Sequence, residues 1–155
     1  MITVANSTVI KAPIDRVWEI LRDFNGHDHW HPAVADSQIE KGEPSVRVGC
    51  VRAFHLADGS FLREQLLSLS DMETRFSYCL LDTPVPLLNY VADVRLVPIT
   101  DDDWCFWQWS ARFDTPPPSR TIGMVWRKTS PLARQLTEIS EVVRRSAEVI
   151  GLQEG

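Results

Sequence analysis

No run of apolar residues in this 155-residue chain approaches the roughly 20 that a membrane-spanning helix needs, so no span is expected. Met1 leads into a polar, alternating segment without a basic region and apolar signal core, which makes the cytoplasm the expected location. Cysteine is scarce: Cys50, Cys79 and Cys105 are odd in number and widely spaced, as suits reduced thiols packed as small hydrophobes and not a disulfide framework or zinc site. An excess of positive charge is also missing. The formal net charge of -5 gives no reason to expect nucleic acid as a partner. There is no Gly-rich phosphate loop, hence no implied nucleotide cofactor, no Ser/His/Asp arrangement defensible from spacing, and no basic amphipathic stretch for a membrane surface. Internal repeats and long linkers are absent too, so 1–155 reads as one domain, long enough to bury about two-thirds of its unfolded surface.

What is present is mostly β-prone. Ile2 to Lys11 reads as a first strand, and Ala12-Pro13 opens a helix in which Ile14, Val17, Trp18 and Leu21 recur at helical spacing and which ends by Asn25-Gly26. The following HDHWHP is too short for more than one helical turn and reads as a connector. A weak strand is expected from Ala35 to Lys41, with a turn at Gly42 to Pro44. Further strands are expected up to Ser70, over Arg75 to Leu81, over Leu88 to Val97 and over Trp104 to Asp114, with Thr83-Pro-Val-Pro86 as a loop because two prolines lack donors. The last of these strands has the clearest alternation: Cys105, Trp107, Trp109, Ala111 and Phe113 oppose Gln108, Ser110 and Arg112. Phe76, Tyr78 and Leu80 share one face, as do Tyr90, Ala92, Val94 and Leu96. Ser130 and Pro131 open a long amphipathic helix to about Ile150, and residues 119–129 stay open between an early helical segment and a loop.

The most informative stretch runs from Val48 to Leu69. A three-residue turn, Ala57-Asp58-Gly59, with Gly59 in the left-handed region, sets Arg52 opposite Glu64, Phe54 opposite Leu62 and Cys50 opposite Leu66 on one face. A two-residue turn would instead mix apolar and charged side chains on both faces. The coherent register leaves an arginine and a carboxylate among apolar neighbours, either as a buried structural pair or as the polar end of a pocket.

The segments APIDRVWEILRDF, WHPAV, VGCVR, DGSFLREQL, TPVPLLNY and WSARFD, in this order, resemble the polyketide cyclase/dehydrase-like branch of the START and birch-pollen-allergen (SRPBCC) superfamily. The resemblance implies an α+β helix-grip fold: a curved antiparallel sheet of about seven strands around a long C-terminal helix, with two short helical segments after the first strand. It also implies a deep apolar cavity that binds lipids, sterols, hormones or polyketides, in some members with cyclisation or dehydration. The pattern is similar to that of plant abscisic acid receptors as well. Motif matching places their pocket glutamate on Glu64 and their Asn-Tyr motif on Asn89-Tyr90, with His55 to Ser60 and Pro84 to Leu88 at the cavity mouth. Trp109 stands where those receptors use a carboxylate, so hormone sensing is not implied.

Glu64, Arg52 and Tyr90 are therefore the expected catalytic group. Arg52 would hold Glu64 ionised while burial pushes the carboxyl pKa up, and a carboxylate so placed can take a proton beside a carbonyl or return one to a leaving hydroxyl. Tyr78, Phe54, Trp30, His31, Leu62, Ala92, Trp107 and Trp109 are the expected ligand wall. His27, His29 and His31 form no clear metal set, because alternate residues on one helical turn do not share a face. His55 should face away from Arg52 by parity. The expected partner is a hydrophobic small molecule, handled without a cofactor, and a homodimer stays open. A non-catalytic carrier or sensor is the competing reading, and a protein-interaction domain ranks third.

Overall fold

The computed structural model describes residues 1–116; the expected C-terminal helix and residues 119–129 lie outside the described residues. The chain forms β1 (Ile2–Ile10), α1 (Ile14–Leu21), α2 (His27–Trp30), β2 (Val34–Ile39), a 3-10 turn (Glu40–Gly42), β3 (Val51–Leu56), β4 (Phe61–Ser70), β5 (Arg75–Asp82), β6 (Leu88–Ile99) and β7 (Trp104–Asp114). The strands make one curved, seven-stranded antiparallel sheet in the order β1-β7-β6-β5-β4-β3-β2. Strands β2 to β7 are a continuous meander, and β1 closes the far edge against β7.

Several boundaries differ from the sequence reading by a residue, and two differ by two at one end. The second strand stops at Ile39, because Lys41 takes a left-handed φ of 59° inside the 3-10 turn. Strand β6 continues through Pro98 to Ile99, where Pro98 pairs with Cys105.

Side-chain parity sorts the sheet. Cys105, Trp107, Trp109, Ala111 and Phe113 are buried along β7, while Gln108 and Arg112 are exposed. Ala92, Val94 and Leu96 continue the same inner face on β6, as do Phe76 and Tyr78 on β5. Helix α1 lays Val17, Trp18 and Leu21 on this face, with the Trp18 ring centroid 6.3 Å from that of Phe76. Each such fully buried side chain contributes about 1.5–3 kcal/mol of transfer free energy. The helix is also tied to the β4–β5 turn: Asp71 accepts from Trp18 Nε1 at 2.8 Å and from Arg22 Nε and Nη2 at 2.8 and 2.9 Å.

The β3–β4 hairpin has the three-residue turn. Leu56 N donates to Ser60 O at 2.8 Å, Gly59 has φ 85°, and Arg52 pairs with Glu64 and Phe54 with Leu62. Leu66 N donates to Cys50 O at 3.0 Å, which extends the same register past the strand end.

Candidate functional site

A cavity of about 420 Å³ opens between the inner sheet face and the α1–α2 region. Its floor comes from the period-two faces already described, and one consequence is that polar groups at inward positions have nowhere else to go. Arg52 and Glu64 are 5% and 6% exposed. Arg52 Nε donates to Glu64 Oε2 at 2.7 Å and Nη2 lies 2.5 Å from the same oxygen. Both contacts fall on Oε2, so Arg52 does not hold Oε1. Arg52 Nη1 donates to the backbone carbonyl of Phe24 at 2.7 Å, and the guanidinium sits 4.0 Å from the Phe24 ring centroid and 5.4 Å from that of Tyr78. Burial outweighs the pull of Arg52 and pushes the Glu64 carboxyl above its ordinary range.

A second polar group lies on β5, β6 and β7. Trp109 Nε1 donates to the Tyr78 hydroxyl at 3.1 Å, and the hydroxyls of Tyr78 and Tyr90 interact with each other. Burial raises both phenols, Tyr78 to about 12 and Tyr90 well above 10, with Glu64 adding to the effect. The tyrosines stay protonated at neutral pH and can present hydroxyls to a ligand oxygen. Asn89 has a left-handed φ of 54°, and its side-chain amide donates to Asp114 at 3.0 Å, which puts a kink in the backbone just before Tyr90.

The one-turn helix α2 closes the other side. His31 is 8% exposed, and the backbone N–H of Ala33 donates to its Nδ1 at 3.3 Å. Burial and the nearby Arg52 charge lower its pKa to about 4, so the ring is neutral and carries its proton on Nε2. His27 is pushed well below 6.5 by the same two causes, with a further contribution from His31. Among the described residues no group of His, Cys, Asp or Glu is arranged to hold a metal ion.

The structure brings most of the expected residues together. Glu64, Arg52, Tyr90, Tyr78, Phe54, Trp30, His31, Leu62, Trp107 and Trp109 all line the cavity. Ala92 does not: it is fully buried between Tyr78 on β5 and Ala111 on β7, where its methyl packs in the core beneath the wall. His55 points out of the sheet and meets Asp36 at 3.0 Å, as parity requires. Ala57, Asp58 and Ser60 of the hairpin turn and Thr83, Pro84, Val85 and Leu87 of the proline loop also line the cavity. His27 also lines the cavity; the sequence reading weighed it with His29 and His31 as a metal ligand, a pocket-rim hydrogen-bonding group or a connector residue and left its role open, because the facing of a one-turn connector has no periodic signal. Cys50 is fully buried but off the cavity wall, and burial raises its thiol.

Comparison with known proteins agrees with this architecture. A solved structure of the protein XoxI from Bacillus cereus is 22% identical, with a TM-score of 0.79, covering 100% of this chain and 99% of that one. A solved structure from Thermobifida fusca is 28% identical with a TM-score of 0.75, covering 99% and 96%. One from Nitrosospira multiformis is 25% identical with a TM-score of 0.73, covering 99% and 95%. A search of curated proteins finds no match. The model of the family described as polyketide cyclase / dehydrase and lipid transport matches residues 1–139, and this chain belongs to that family.

Proposed function

We propose that the cavity binds a hydrophobic, aromatic or polyketide-derived small molecule and promotes its cyclisation or dehydration by cofactor-free general acid/base catalysis. The observation that carries this reading is the buried Arg52–Glu64 pair on the cavity wall, with the pair held through Oε2 and the carboxyl pKa raised. A raised pKa brings the carboxyl nearer to neutrality, where one group can both take and return a proton. Glu64 removes a proton next to a substrate carbonyl in an aldol closure, or delivers one to a leaving hydroxyl. Tyr78 and Tyr90 orient the carbonyl oxygen, and the aromatic walls hold the substrate folded. Arg52 is a positioning residue for Glu64.

The family description includes lipid transport, and the wall is largely apolar, which favours a second reading as a carrier of a lipid-like ligand. Native mass spectrometry identifies what copurifies; that species is then added back to emptied protein and its fate followed by liquid chromatography. Conversion by wild type, lost in Glu64→Gln and reduced in Tyr90→Phe with binding retained, is the catalytic outcome. A ligand recovered intact from wild type is the carrier outcome. Full conversion by both variants sinks the assignment of Glu64 and Tyr90.

A further inference from the structure

Strand β6 begins with an irregularity that changes which side chains reach the cavity. From Val91–Arg112 to Ile99–Trp104 it pairs with β7 in one register, but Leu88 pairs with Asp114, where that register would give Thr115. Asn89 and Tyr90 therefore stand together opposite Phe113, which is a β-bulge with one extra residue in β6. Asn89 has a left-handed φ of 54°, a conformation that glycine usually supplies at the first position of such a bulge. Asparagine is among the few other residues that enter this region readily. Its side-chain amide donates to Asp114 Oδ2 at 3.0 Å, so the bulge is tied across the ladder.

The extra residue reverses the alternation of side chains. Tyr90 and Val94 reach the cavity wall, and strict alternation back along β6 would send Leu88 the same way. Instead Leu88 shares the face of its partner Asp114, which the alternation of β7 sets opposite to that of the buried Phe113. Leu88 is 48% exposed and off the wall, and Leu87 lines the cavity in its place. The segment before it is held: Leu87 N–H donates to Val85 O at 2.7 Å, and Val85 N–H donates to Thr83 Oγ1 at 3.2 Å. The meander carries this loop to the same end of the sheet as the β3–β4 turn, which also lines the cavity. Leu87 and Val85 present only hydrocarbon there, so the part of a ligand that meets them is apolar.

We propose that the Asn89 bulge sets the length of ligand the cavity accepts, by placing Leu87 and not Leu88 as the apolar limit of its loop end. Asn89 is thus a positioning residue and Leu87 a specificity-determining one. The inference rests on the ligand-binding reading above and deepens it: the ligand ends in a hydrocarbon of limited length on the side away from its polar head.

The test has one readout without a ligand and one with. In protein with isotope-labelled leucine methyls, a soluble paramagnetic agent broadens the Leu88 resonances and spares those of Leu87. Asn89→Gly, which enters the left-handed region freely, keeps this pattern. Asn89→Val, whose β-branched side chain disfavours that region, loses the bulge and inverts the pattern. Thermal unfolding checks that each variant is folded, and Asn89→Ala serves if the valine variant is not. The second readout is the affinity of para-alkylphenols from ethyl to octyl, by calorimetric titration. Each methylene buried raises affinity about fourfold until the chain meets Leu87, where the rise stops. Leu87→Ala moves that stop at least one carbon further, so the longest phenols gain about fourfold or more relative to ethylphenol. Leu88→Ala leaves it in place. Equal broadening of the two leucines in wild type, a wild-type pattern in folded Asn89→Val, or a stop that Leu87→Ala does not move overturns the proposal while leaving the cavity reading intact. If folded wild type binds none of the phenols, the cavity reading fails and this inference falls with it.

Discussion

Arg52 Nη1 donates to the backbone carbonyl of Phe24 across 2.7 Å while the guanidinium lies 4.0 Å over the ring of the same residue. One side chain thus joins the β3–β4 hairpin to the segment that follows α1, and among the described residues its charge is balanced only by Glu64. Arg52→Met is expected to cost about 3–5 kcal/mol, because it leaves the Glu64 carboxylate buried and unpaired. Adding Glu64→Leu should recover most of that loss, since two apolar groups need no partner. Urea unfolding of the three proteins checks this. A loss under about 1 kcal/mol in Arg52→Met would mean that water already screens the pair.

The chain has two tyrosines, Tyr78 and Tyr90, and both line the cavity. Their phenols are raised in the folded state, so the folded protein holds its protons more tightly than the unfolded chain does. Stability from this source is complete below pH 10 and is lost as pH rises toward about 12, the Tyr78 value. Phenolate absorbance should therefore appear together with unfolding and not ahead of it. A phenolate signal near pH 10 from protein that is still folded contradicts the burial of these hydroxyls.

His31 predicts the acid limb. Its folded pKa of about 4 lies below the ordinary 6.5, so the unfolded chain binds the extra proton in between. The stability gained is complete above pH 6.5 and is lost as pH falls toward 4, by no more than about 3 kcal/mol. His27, lowered by burial, Arg52 and His31, acts in the same direction, whereas Glu64, raised by burial, opposes it above pH 4.5. The His31 share is read as the difference between wild type and His31→Gln in thermal unfolding at pH 7 and pH 4.5. Parallel pH dependence in the two proteins would assign the acid limb elsewhere.

Gly59 separates backbone strain from crowding. Its φ is 85°, and a Cβ built there meets nothing within 4 Å. Gly59→Ala should cost about 1 kcal/mol through backbone strain alone, and Gly59→Asn less, because Asn tolerates the left-handed region. Chemical denaturation gives both values. An Ala variant as stable as wild type would show that the turn can relax out of that conformation.

The inward faces of β5, β6 and β7 were legible in the chain because strand geometry sends alternate side chains to opposite sides, and the hairpin register was legible because a slip would have placed charge on both faces. That was enough to pair Arg52 with Glu64 and to put Tyr78 and Tyr90 on one wall. The same parity rightly turned Ala92 inward but could not tell that its single methyl would be covered, whereas Val94 two positions on reaches the wall.

By itself, then, the sequence determined what depends on neighbours along one strand or across one turn: the meander, the register, and which side of the sheet carries the charged pair. Only tertiary structure decided what depends on segments meeting across the fold. Phe24 lies 28 positions from the arginine it receives, and His27 meets Phe54 of β3 with ring centroids 5.4 Å apart, a contact that no spacing announces. The shifted pKa values of Glu64, His31 and Tyr78 have the same origin. Desolvation is a property of the assembled surroundings, and no stretch of chain carries it alone.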